Sequence, residues 1–103
     1  MDVLVVPPAA QRDEKAVQML SAWVAENGLH CTMKIGMWRD NGHDEAESWG
    51  ILLADVVRHV ANAMRDKYGE DPAATASMIA DSLLEELGDP TSETKGGFQS
   101  GVN

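Results

Sequence analysis

The side chains most able to do chemistry lie together at Trp38-Arg39-Asp40-Asn41-Gly42-His43-Asp44-Glu45. His43 has the chemistry of a general base or a ligand, and it stands among carboxylates. Arg39, next to the start of a helix, suits an anion. Trp38 offers an aromatic face. The candidate ligand-binding residues are therefore Trp38, Arg39 and His43. The plainer reading is a loop in which Asn41-Gly42 turns the chain and Asp44 caps the following helix, and it carries more weight. Asp44, Glu45 and Glu47 also oppose an anion. The spacing does not match a calcium loop, which needs ligands at fixed alternate positions and a terminal Glu.

Other candidates are thinner. His30, Cys31, His43 and His59 are the soft metal ligands, but none forms a paired CxxC or HxxxH motif. His30 and Cys31 are neighbours on a predicted strand, so they point to opposite faces. No metal site is expected. Cys31 falls on the apolar side of that strand, where burial raises a thiol pKa and argues against a nucleophile. The tryptophans Trp23, Trp38 and Trp49 sit on apolar faces and read as core, with Trp38 the most open of the three. Walker A, G-x-G-x-x-G, G-x-S-x-G and H-E-x-x-H motifs are absent, so no catalytic residue and no cofactor is assigned.

These residues must be positioned by a small scaffold. A chain of 103 residues builds one core. Seventeen acidic against 8 basic residues give a net charge of −9. That balance repels phosphate backbones and anionic lipid, so nucleic acid and membrane are not expected partners. The lone Cys31 allows no internal disulfide, which suits a reducing compartment. The N-terminal apolar run is too short for a signal peptide, and no run approaches the ~18 apolar residues of a membrane span. A cytoplasmic location is expected.

Periodicity predicts the elements. Residues 1–10 read as an extended arm, with a short strand over Val3–Val6 ended by Pro7-Pro8. A helix is predicted over 13–27 from Ala16, Val17, Leu20, Trp23 and Val24, with Gly28 as its stop. Residues 29–38 alternate: Leu29, Cys31, Met33, Ile35 and Met37 against His30, Thr32 and Lys34. That period of two predicts a half-buried strand. Helices are predicted over 45–68, with Asp44 and Glu47 as an acidic capping box, and over about 72–87, started by Asp71-Pro72 and stopped by Gly88.

A strand at 29–38 needs hydrogen-bonding partners along its length. Val3–Val6 is too short to cover it. The predicted solution is the same strand of a second copy, placing Met33, Ile35 and Met37 at a homodimer interface. The fold class read from the sequence is α+β: three helices, one main strand at 29–38, a short N-terminal strand, and a sheet completed across a dimer. The expected layout is an arm at 1–10, a single globular domain at 11–92 and a disordered tail at 93–103.

Pro7-Pro8-Ala9-Ala10, Gly28-Leu29-His30, Trp49-Gly50-Ile51-Leu52-Leu53-Ala54-Asp55 and Arg58-His59-Val60-Ala61 form a pattern over about residues 6–90. It resembles a family of short bacterial proteins catalogued as a domain of unknown function. The resemblance implies a cytoplasmic bacterial protein and brings no activity, cofactor or catalytic residue with it. The polar segment 39–47 is longer here than that family leads one to expect. Two functions are compatible with these observations. The first is a non-enzymatic, homodimeric interaction module with an unknown protein partner. The second is a small-ligand or anion site, open to enzymatic use, at the 38–47 hinge.

Overall fold

The computed structural model describes residues 1–91 and 95–100. Its elements in chain order are α1 (Pro8–Arg12), β1 (Leu20–Ala25), β2 (Gly28–Ile35), α2 (Met37–Asp40), α3 (Glu45–Tyr68), α4 (Pro72–Gly88) and β3 (Lys95–Ser100). The protein is α+β, with four helices and a three-stranded sheet among the described residues.

The sheet corrects the sequence reading in three places. The helix expected at 13–27 is a loop followed by β1. Leu20, Ala22 and Val24 alternate with Ser21 and Trp23, and that period of two prevails over the helical spacing of the same residues. β1 and β2 form an antiparallel hairpin in which Ala25 pairs with Gly28. Its two-residue turn puts Glu26 at φ 49° and Asn27 at φ 62°. Two consecutive left-handed residues have the handedness that matches strand twist. Val3–Val6 forms no strand, and α1 follows it with Pro8 at its first position. Within the stretch read as a disordered tail, Lys95–Ser100 runs as β3, parallel to β2; residues 93, 94 and 101–103 lie outside the described residues.

The strand order is β1-β2-β3, so β2 is central. It is flanked by its own chain on both sides, and its backbone offers no edge to a second copy. The expected twin pairing through this strand is therefore overturned. The strand also stops at Ile35, and Met37 belongs to α2. β3 approaches β2 closely: a Cβ at Gly96, which has φ 115°, would overlap the Cys31 carbonyl. Only glycine fits there.

The two long helices follow local rules. Asp44 accepts a hydrogen bond from the Glu47 amide at 2.8 Å, and Asp71 accepts one from the Ala74 amide at 3.0 Å. Gly69 ends α3 with its N–H on the Arg65 carbonyl at 2.8 Å. α3 and α4 pack together as a helical hairpin on the small residues Ala61 and Thr75, both buried.

The sheet and this hairpin are two layers that scarcely touch. Ala61 is the buried hydrophobic residue among the described residues. The Cα radius of gyration is 15.4 Å, against about 13 Å for a compact domain of this length.

Candidate functional site

The 38–47 hinge is a rigid elbow built around Glu45. A glutamate in the first turn of α3 lies one turn before Trp49, and the Trp49 indole Nε1 donates to its carboxylate at 2.9 Å. The Gly36 amide donates to the same carboxylate at 3.2 Å and the Arg39 amide at 3.0 Å. Gly36 takes φ 103°, a left-handed conformation that turns the chain out of β2 and into α2. One buried carboxylate thus joins the end of the sheet, the short helix α2 and the start of α3. Burial pushes the Glu45 carboxyl up. The amides of Gly36 and Arg39, the Trp49 indole and the Trp38 amide outweigh it, and the group sits below the ordinary glutamate value. With its lone pairs engaged by donors, Glu45 is a structural anchor and not a free base.

Above the anchor, Trp38 and Trp49 meet edge to face, with ring centroids 5.4 Å apart and planes at 85°. The rest of the hinge is turn structure. The Asn41 side-chain amide donates to the Met37 carbonyl at 2.7 Å. The His43 amide donates to the Trp38 carbonyl at 2.9 Å.

Of the three ligand residues proposed from sequence, two come together. Trp38 and His43 line an open groove of about 460 Å³ with Ser48, Ile51, Leu52, Asp55 and Arg58. Arg39 is exposed and does not line it. Its structural role is carried by its backbone amide. Asp44, which caps α3, already serves the helix N-terminus. The cation in the groove is Arg58, 3.9 Å from Asp55 and well exposed. His59 Nε2 lies 3.3 Å from the other Asp55 oxygen. A second shallow groove, lined by Asp55, Val56, His59, Val60 and Ala63, continues along α3. The two grooves read as one apolar furrow with a polar margin.

The remaining candidates are dispersed. Cys31 is half-buried, and pairing of β1 with β2 sets it beside Ala22 on one sheet face, while His30 lies beside Trp23 on the other. His30 Nε2 is buried and has no hydrogen-bond partner among the described residues. Among those residues no three His, Cys, Asp or Glu side chains come together to hold a metal ion. Among the described residues no helix is long and apolar enough to cross a membrane. Sequence reasoning counted Glu45 only as a charge opposing an anion. Its i,i+4 spacing from Trp49 was the available signal, since a packed indole N–H needs an acceptor.

A family model for a domain of unknown function, DUF5076, matches residues 3–91. The chain belongs to this family. The DUF5076 match takes in both layers except β3, so the hairpin β1–β2, the Glu45 elbow and the helical hairpin all lie within it. Comparison with curated proteins finds no match. Among solved structures, one described as "a putative pyruvate dehydrogenase from the photosynthetic bacterium Rhodopseudomonas palustrus CGA009" is similar over 90% of each chain. It shares 25% identity with a TM-score of 0.65.

Proposed function

We propose that this DUF5076 protein is a non-enzymatic, self-associating interaction module, a cytoplasmic bacterial homodimer whose core forms only when two copies meet. One observation carries the reading. The chain exposes 8493 Å², whereas a compact monomer of its 11.1 kDa mass exposes about 5,700 Å². The excess is about 2,800 Å² per copy, or about 5,600 Å² for a pair, at the upper end of the total surface that obligate dimers bury. The exposed arm of residues 1–7 accounts for part of it. Apolar side chains on both layers account for much of the rest.

A ligand site at the Trp38–His43 groove is the weaker reading. The groove is open, its cation is tied to Asp55, and it runs on into the apolar furrow of α3. The neighbour's description would make the chain part of pyruvate oxidation. Binding a 2-oxoacid carboxylate calls for a free cation in a water-excluding cleft. The exposed, paired Arg58 supplies neither.

Light scattering on the purified chain at micromolar concentration tests the proposal. A mass near twice 11.1 kDa is expected. A folded monomer at that concentration defeats it.

A further inference from the structure

We infer that the two copies exchange layers: the bare apolar face of one copy's sheet is covered by the α3–α4 hairpin of the other, and reciprocally. This rests on the self-association proposed above and specifies its form. Cross-strand register puts Leu20, Ala22 and Val24 of β1 on the same face as Leu29, Cys31 and Met33 of β2 and Phe98 of β3. Every one of these is apolar, yet Val24 is 87% and Phe98 69% exposed. A sheet face of this composition is stable only under a second layer.

The helical hairpin has the matching need. Leu52, Val56, Val60 and Ala63 recur at helical spacing along α3, and Val56 and Val60 are exposed large hydrophobics. On α4, Leu84 is 66% and Leu87 73% exposed. Lengths agree as well. The 8 residues of β2 run about 26 Å, and the 17 residues of α4 also run about 26 Å.

Within one chain the two faces do not meet. The Glu45 anchor ties the end of β2 to the start of α3 through Gly36, Arg39 and Trp49, and it holds the hairpin away from its own sheet. A second copy supplies the missing layer on each side. It also covers the share of the excess surface that lies on the two layers. Pairing helix to helix alone would leave Val24, Leu29 and Phe98 in water.

Cys31, the single cysteine, lies on the sheet face and serves as a reporter. Unaltered chains would be refolded together with chains carrying Cys31→Ser and one of Leu52→Cys, Val56→Cys or Val60→Cys, then mildly oxidised. Disulfides between an unaltered and an altered chain are expected for at least one helix position. Cross-links only between two altered chains, or no mixed cross-link at any position, overturn the exchange while light scattering still reports a dimer. A monomeric mass overturns the exchange and the dimer together. The unaltered protein gives a second reading that does not depend on the variants folding. Thiol labelling of Cys31 should run at least about tenfold slower than in denaturant, because access requires opening of the layers. Labelling at the denatured rate overturns the covered face.

Discussion

The elbow at residues 36–49 and the apolar faces on either side of it are opposites. In the elbow a single carboxylate accepts hydrogen bonds from two backbone amides and an indole, and two tryptophans lock edge to face above it. On both layers beyond it, valines, leucines and a phenylalanine face solvent. The elbow is finished by its own chain. The faces are not. Polar groups are satisfied locally because hydrogen bonds are short and directional. Apolar area is satisfied only by bulk, and a chain of 103 residues split into two layers has too little of it. This contrast separates what orients the layers from what stabilises them.

The largest expected effect comes from the unfinished side. Val56→Glu places a charge on the α3 stripe, and burying it unpaired costs about 3 kcal/mol or more. Light scattering and circular dichroism should show the dimer lost, with the helical signal reduced at the same protein concentration. A stable dimer would mean that Val56 lies outside the interface. On the finished side, Trp49→Ala removes the edge-to-face partner of Trp38 and one donor to Glu45. About 3 kcal/mol of stability should go, read as a fall in the urea midpoint. An unchanged midpoint would make the elbow decorative.

Glu45→Gln sharpens the comparison through pH. The folded Glu45 carboxyl lies below its ordinary value, so its stabilising contribution is complete above that ordinary value and is lost as pH falls through the depressed one. The unaltered protein should therefore lose stability on acidification in this window, and the Gln variant should lose less. Parallel acid limbs in urea titrations at several pH values would assign the sensitivity to other carboxylates. The smallest effect concerns the β1–β2 turn. Replacing Glu26-Asn27 with Asn-Gly relieves two left-handed residues, and should raise stability by about 1 kcal/mol in thermal melts. No gain would mean that the turn is not under strain.

The legibility of this chain in its sequence follows the same divide. α3 and α4 were readable because long apolar periods, Asp44, Asp71, Pro72 and Gly69 all act within a few residues of one another. The 13–27 segment reads as a helix because Leu20 and Val24, four residues apart, satisfy a helical spacing and a period of two equally well. Gly28 reads as a helix stop, yet it opens β2 just after the Glu26-Asn27 hairpin turn. β3 carries almost no apolar signal, since two of its six residues are glycines, and one of them is required by the close approach to Cys31. The part Glu45 plays in the hinge is not legible in the sequence, because Glu45 acts through amides that only the fold brings to it.

By itself, the sequence determined the acidic character of the chain, its two long capped helices and the strand that became β2, because each of these is set by charge or by contacts a few residues apart. The tertiary structure alone decided that β1 is extended, that β2 is central and that Glu45 faces inward. Those outcomes depend on which distant backbone supplies the hydrogen-bond partner, and no local spacing encodes that choice.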